Sequence, residues 1–383
     1  MDMNSGAVLY AKKAEEKRYP ASITKVLSAL TALQYAKMSD AVSFSEESIS
    51  FLQWDDAQIG MKPGEEINME SALYGMLLAS ANEVSYAVAE NVGRQYLNGG
   101  YTEFIEEMNR ISQQLGCTGS NWVNANGLHD ENHYTTAHDM ARIAAAAYQN
   151  EEFRRLETTL EYKVPPTNLT AEERILDQNH KMLWPENYYY YANAKAGKTG
   201  YTDQSKTTLV TMAEENDMQL AAVVLHTYGV DAYMDTRSMY DYAFTNFETL
   251  NLKEYETSSE IEDFENENAY AVVPKGVSFS ELEKEYVPDE SGGTRRVLVE
   301  YSYQGQPVGK EKAILTEEAF SKLTGAEKKI KIEPVKQEKN KKQSEKKSKL
   351  AVVIALVIFL PLGYILLVIL LYKLNMRWRK RKK

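Results

Sequence analysis

From Leu350 to Tyr372 the chain runs through 23 residues with almost no polar side chain. As a helix rising ~1.5 Å per residue, such a run reaches roughly 34 Å, enough to cross the hydrocarbon core of a bilayer. Lipid offers no partner for backbone polar groups, so a lone spanning segment has to be helical. Pro361 and Gly363 lie mid-span, where a membrane helix tolerates them better than a soluble one. A buried soluble helix of that length is the alternative. Arg377 and the run from Arg379 to Lys383 follow without an acid, as expected of a cytoplasmic end. The preceding side is also rich in lysine, so charge orients the span only weakly. The expectation is a single-pass anchor at 350–372, a basic cytoplasmic tail at 373–383 and an extracytoplasmic body before them.

The charge divides at the same place. The whole chain carries −11, whereas residues from 326 onward hold 17 Lys/Arg against 4 Asp/Glu, so the first 325 residues carry −24. So acidic a body is unsuited to nucleic acid, which is bound through clustered cations. Cys117 is the only cysteine, which rules out an internal disulfide and a cysteine-based metal cluster. The five histidines lack zinc-binding spacing. No leader of basic then apolar residues opens the chain; Met1-Asp2-Met3-Asn4-Ser5-Gly6 reads as a strand end and turn. If the body lies outside the cell, a signal peptide is expected to be missing from this chain.

Along the body, Ala7 to Tyr10 reads as a strand, and residues 39–70 are polar and turn-rich. Helices are expected at 71–78, 83–92 and about 102–115, the last with Phe104, Ile105, Met108, Ile111 and Leu115 inward and Gly116 as a stop. Another begins near Asp139. Two strands follow at 207–213 and 219–227, then a helix at about 233–247. From 254 the texture becomes short alternating stretches broken by turns, a small all-β module over 255–325. Residues 326–349 are Lys/Glu/Gln-rich and read as a solvated tether. The division is therefore 1–250, 255–325, 326–349, 350–372 and 373–383.

Chemistry enters at Pro20-Ala21-Ser22-Ile23-Thr24-Lys25. Pro20 marks a helix start, and Val26, Leu27, Leu30 and Leu33 recur at helical spacing. Residues at i and i+3 share a face, so the Ser22 hydroxyl and the Lys25 amine can meet. Serine attacks only when a base takes its proton, and lysine serves as that base only where burial or nearby positive charge keeps it neutral. An ordinary helix start with Lys25 in solvent satisfies the same letters. Two further tripeptides bear on the choice. Ser80-Ala81-Asn82 sits between helices, supplying a hydroxyl for proton relay and an amide able to hold both a lysine and a substrate carbonyl. Lys198-Thr199-Gly200 precedes the paired strands, supplying a cation and hydroxyl for a carboxylate and a glycine for close approach. This trio in this order is the signature of serine acyl-transfer sites in penicillin-binding proteins and class A β-lactamases.

On these residues the chain resembles the D-alanyl-D-alanine carboxypeptidases, low-molecular-mass penicillin-binding proteins. The resemblance runs over residues 1 to about 330 and includes Arg18 to Lys25, Leu77 to Glu83, Asn126-Gly127-Leu128, His133 to Ala137 and Lys198 to Asp203. It implies an α+β fold: a β-lactamase/transpeptidase-like catalytic domain of antiparallel sheet plus helical subdomain, a small β domain and a C-terminal membrane helix. It also implies that Ser22 is the nucleophile, Lys25 its base and Ser80 a proton relay. Asn82, Lys198, Thr199, Gly200 and Tyr201 are the implied substrate-binding residues, the amides of Ser22 and Tyr201 forming the oxyanion hole. The implied partners are the peptidoglycan stem peptide ending in D-Ala-D-Ala and β-lactam antibiotics, with no metal or organic cofactor. Two departures stand out. Relatives begin with a signal peptide and a strand that this chain is expected to lack or to retain only in part, and the anchor reads as a full span where several relatives use an amphipathic helix. A β-lactamase and a non-catalytic β-lactam sensor or wall-binding protein share the trio and remain alternatives. His133 reads as a structural histidine rather than a cleft residue, Tyr188 to Tyr191 as packing, and Cys117 as a small buried hydrophobe.

Overall fold

Helix α1 (Thr24–Leu33) is the axis of the first core. Every residue from Thr24 to Ala32 is buried, and a helix covered on all sides belongs inside a protein. Its polar members are satisfied at close range: Thr31 Oγ1 donates to the Leu27 carbonyl at 2.8 Å, and Ser28 Oγ to the Ala125 carbonyl at 2.7 Å. The computed structural model describes residues 1–288 and 295–325, with Met1–Thr324 forming one compact unit. Around α1 pack α2 (Met69–Leu77), α3 (Asn82–Tyr96), α4 (Tyr101–Gln114), α5 (Ala137–Tyr148) and α6 (Glu151–Glu157). Asn68 caps α2 through Ser71 N–H, and Thr136 caps α5 through Asp139 N–H, each satisfying one of the donors that a helix start leaves open.

An antiparallel sheet of β1 (Ala194–Thr202), β2 (Lys206–Glu215) and β3 (Met218–Thr227) lies against this bundle in the order β1-β2-β3. Alternation along β2 sorts the two faces. Val210 and Met212 join the helical core, while Leu209 and Ala213 join a second core with Tyr233, Tyr240 and Phe244 of α7 (Asp231–Asn246). The sheet is thus covered on both faces. Beyond α7, β4 (Phe247–Asn251) pairs with β6 (Tyr270–Pro274). β5 (Ile261–Phe264), β7 (Glu283–Pro288), β8 (Arg296–Tyr303) and β9 (Gln306–Leu315) form a four-stranded antiparallel sheet in the order β7-β8-β9-β5, over a third core containing Val297, Val299, Tyr301 and Leu315. Helices and antiparallel strands in this arrangement make an α+β protein.

Three local expectations differ from what forms. Ala7 to Tyr10 is not a strand. Asp2 Oδ1 instead accepts from the backbone and hydroxyl of Ser5, closing a turn that Gly6 completes at φ +78°, after Met1 to Met3 have paired with β3 between Gln219 and Ala221. Residues 39–70 contain a helix at Glu46–Ser50 and a paired ribbon, Ala41–Ser43 with Glu66–Asn68. A second ribbon, Glu161–Val164 with Arg174–Asp177, precedes β1. Lys198-Thr199-Gly200 does not precede the sheet but belongs to its edge strand. Among the described residues no helix is long and apolar enough to cross a membrane. The expected anchor at 350–372, its tether and its basic tail lie outside the described residues.

Candidate active site

Ser22 stands in a single 3-10 turn, Ala21–Ile23, that runs directly into α1. The turn is tightly held. Ala21 adopts φ +52°, a conformation that costs a non-glycine residue on the order of 1 kcal/mol and persists only where neighbours enforce it. Its carbonyl accepts from Thr24 Oγ1 at 2.8 Å. Gly127 backs onto the same carbonyl so closely that a Cβ there would lie 1.9 Å from the oxygen. Thr208 Oγ1 of β2 donates to the Pro20 carbonyl at 2.7 Å. The half-buried Ser22 is therefore fixed from the bundle, the 124–128 loop and the sheet at once.

Lys25, one turn on, is fully buried. Its Nζ is 2.9 Å from Ser22 Oγ, 2.8 Å from Asn82 Oδ1 and 2.6 Å from the Asn126 carbonyl. A neutral amine has two N–H donors and one lone pair. Asn82 Oδ1 and the Asn126 carbonyl can only accept, so they take the two hydrogens and leave the lone pair facing the hydroxyl. Burial, and then the nearby Lys198 cation, hold the Lys25 pKa well below its ordinary value; Glu83 and Asp56 oppose them more weakly. An amine so placed can accept the proton of Ser22 at neutral pH.

Asn82 opens α3 and is held by its own N–H to the Ala57 carbonyl at 2.8 Å. Ser80, two residues earlier, is nearly buried and adopts φ +61°. Among the described residues its hydroxyl makes no hydrogen bond to Ser22 or Lys25, and its link to them is its place in the chain two residues before Asn82. Glu83, fully buried, accepts from Ile59 N–H at 2.7 Å, and burial raises its pKa.

The fourth side is β1. Lys198 is almost wholly buried, with Nζ donating to the Thr199 carbonyl at 3.0 Å. Thr199 is half-buried beside it. Gly200 meets the backbone of Ser22: a Cβ there would lie 2.8 Å from Ser22 N and 2.4 Å from Thr208 Oγ1. Tyr201 is exposed, its hydroxyl donating to Asp203 Oδ1 at 3.1 Å. Among the described residues β1 pairs only with β2, so its outer edge is available to an extended peptide.

Other residues fall into place around this centre. His133 is buried and fully satisfied: Nδ1 accepts from Val123 N–H at 3.1 Å, so Nε2 carries the hydrogen and donates to Thr24 Oγ1 at 2.8 Å. Burial drives its pKa down to about 3, leaving a neutral structural ring. Tyr189 and Tyr191 stack on Tyr233 and Tyr240 of α7, while Tyr188 is exposed. Cys117 is buried, and its thiol is pushed up to about 12 by burial. Three contributors escaped the motif reading. Asn126 acts through a backbone carbonyl, which leaves no mark in residue type. Glu157 and His180, buried behind Lys198, belong to no motif.

The family description "D-alanyl-D-alanine carboxypeptidase" matches residues 1–229. The D-alanyl-D-alanine carboxypeptidase DacF of Bacillus subtilis (strain 168) is 30% identical over 262 residues, 65% of this chain and 62% of the relative. The D-alanyl-D-alanine carboxypeptidase DacA of Haemophilus influenzae is 29% identical over 274 residues, 69% of this chain and 64% of the relative. The chain thus spans under two thirds of the length of these curated relatives. Among solved structures, the Streptomyces K15 DD-transpeptidase superposes with a TM-score of 0.58 at 24% identity, covering 64% of this chain and 95% of that one, a likeness of fold. The D-alanyl-D-alanine carboxypeptidase of Mycobacterium tuberculosis H37Rv gives 0.56 at 26% identity, covering 64% and 88%.

Proposed function

This chain belongs to the D-alanyl-D-alanine carboxypeptidase family, and we propose that it removes the terminal D-alanine from peptidoglycan stem peptides through an ester on Ser22. Ser22 Oγ attacks the penultimate carbonyl as its proton passes to Lys25 Nζ. Negative charge developing on the carbonyl oxygen is met by the amides of Ser22 and Tyr201. The C–N bond breaks, Ser80 relays a proton to the departing amine, and D-alanine leaves. Asn82 orients the substrate amide, Lys198 and Thr199 hold the terminal carboxylate, and the edge of β1 at Gly200 lets the peptide lie close. Water then hydrolyses the ester. A β-lactam enters as a mimic of the dipeptide and leaves a slowly hydrolysed ester on Ser22.

The observation that carries this reading is the seat of Lys25 Nζ, 2.9 Å from Ser22 Oγ with two obligate acceptors taking its hydrogens. The apolar run at 350–372 and the cationic residues after it support a membrane tether. In this reading the tether holds a 1–250 catalytic domain and a 255–325 β domain outside the cell, through the 326–349 linker.

Two assays on one preparation test the activity. Intact mass after benzylpenicillin reports the adduct on Ser22, and release of D-alanine from diacetyl-Lys-D-Ala-D-Ala reports turnover. Adduct plus release is expected. Adduct without release points to a sensor, rapid hydrolysis of a chromogenic cephalosporin to a β-lactamase, and neither to a site that is not catalytic.

A further inference from the structure

Behind Lys198 lies a group of buried polar residues that no step above uses. Glu157, the last residue of α6, is fully buried. Its Oε2 accepts from the N–H of Gly197, one residue before the lysine, at 3.3 Å, and its Oε1 has no hydrogen-bond partner. His180 is equally buried, with Nε2 2.9 Å from Thr211 Oγ1. The ring presses on Gly197 so closely that a Cβ there would lie 2.6 Å from Nε2. A carboxylate is thus anchored to the strand that carries the lysine, on a side sealed from water.

We propose that Glu157 is a positioning residue for Lys198: its buried carboxylate is the counter-charge that keeps Lys198 an ammonium and holds β1 in register at Gly197. The inference rests on the reading of Lys198 as the cation that receives the substrate carboxylate. The need for a counter-charge follows from what faces the lysine. Lys25 lies on the α1 side and, held neutral by its burial, brings no counter-charge. His180, on the segment before β1, is neutral because burial drives its pKa down to about 3. The turn at Ala21–Ile23 and the facing part of β2 around Val210 bring no charge. The other cations of α6 are engaged elsewhere, Arg155 with Glu70 and Glu152, Arg154 with the Tyr148 carbonyl. Among the described residues Glu157 alone is left to favour the charged lysine. Burial lowers Lys198 to about 8, and Glu157 is what opposes it. Burial likewise lifts Glu157 to about 7, and Lys198 opposes that rise.

Replacing Glu157 by glutamine keeps the shape and an acceptor for Gly197 N–H but removes the charge. In full-length, lysine-labelled protein, the Lys198 side-chain NMR signal, assigned by its loss in Lys198→Met, is expected to titrate about one to three pH units lower in Glu157→Gln than in wild type. Glu161→Gln, an exposed change on the next strand, is expected to leave it in place. If Glu157→Gln does not fold, Glu157→Asp serves, with a smaller shift in the same direction. A Lys198 midpoint unmoved in the folded variant overturns the proposal. The titration needs no turnover, so it separates this inference from the activity. Penicillin acylation of wild type without the NMR shift sinks only Glu157. An NMR shift without acylation of wild type leaves the counter-charge standing and sinks the carboxypeptidase reading. Where both hold, the KM for the D-Ala-D-Ala peptide at neutral pH rises about tenfold or more in Glu157→Gln while kcat changes less, because an uncharged amine loses the charge-assisted bond to the carboxylate.

Discussion

Gly200 and Ser22 meet backbone to backbone: a side chain on Gly200 would begin 2.8 Å from the amide nitrogen of Ser22. The two lie 178 positions apart, and their approach is what joins the sheet edge to the turn that carries Ser22. No flexible side chain stands between them to yield, so β1 or the 3-10 turn has to move if the space is filled.

Gly200→Ala is therefore expected to cut penicillin acylation of Ser22 by about 10²-fold, the cost of a displacement near 1 Å at a reacting centre. Stopped-flow acylation measures it. A fall in thermal stability large enough to unfold the protein at the assay temperature would show instead that the contact serves folding.

Lys25→Arg keeps a cation but removes the base, because a guanidinium does not give up its proton at these pH values. Acylation is expected to fall by about 10²–10⁴-fold, the usual contribution of a positioned base. A rate near wild type would remove Lys25 from the mechanism.

Asn82→Asp tests the charge state of Lys25 without changing shape. Asn82 Oδ1 is 2.8 Å from Nζ, and a carboxylate at that distance favours the ammonium. The acidic limb of acylation is expected to move up by about one to three pH units, so the variant is poor at neutral pH and recovers as pH rises. An unshifted limb would show that Lys25 is not the titrating group.

The wild-type pH profile has two limbs of known sign. Protonated Lys25 cannot accept from Ser22, so activity rises with pH through the Lys25 pKa, which burial and Lys198 hold well below its ordinary value. Deprotonated Lys198 cannot hold a carboxylate, so activity falls as pH passes about 8. Acylation followed against pH is expected to be bell-shaped, with the alkaline limb steeper in KM than in kcat.

His133 contributes stability and no titration. Its loss leaves the Val123 N–H without a partner and a cavity beside Thr24. His133→Ala is expected to cost about 3 kcal/mol in urea unfolding and to leave both limbs of the pH profile in place. A limb that disappears with His133 would make it a proton carrier.

Much of the helical half was legible in residue order. The apolar stripe of α4 and the Gly116 stop locate that helix, and the expectation at 102–115 differs by one residue from Tyr101–Gln114 at each end. Such elements can be read because the pattern of burial along them has the period of the backbone itself. β1 could not be read that way. Its residues Gly197 to Gly200 are selected for closeness to Ser22 and His180 and for charge, so they lack the alternation that marks a strand. The Ala7 to Tyr10 stretch shows the converse: four apolar residues in a row read as a strand, but the Asp2–Ser5 turn leads the chain away from the pairing that Met1 to Met3 make.

For the site, residue types and their order named the candidates: a hydroxyl and an amine three residues apart, a second hydroxyl with an amide, and a cation beside a glycine. Sequence alone determined that inventory, because chemistry depends on functional groups present in the chain. Tertiary structure decided the rest. It buried Lys25, gave its hydrogens to Asn82 and to the carbonyl of Asn126, 57 and 101 residues away, and set Glu157 behind Lys198. Those relations depend on dielectric and distance, and both come into being only when remote segments exclude water together.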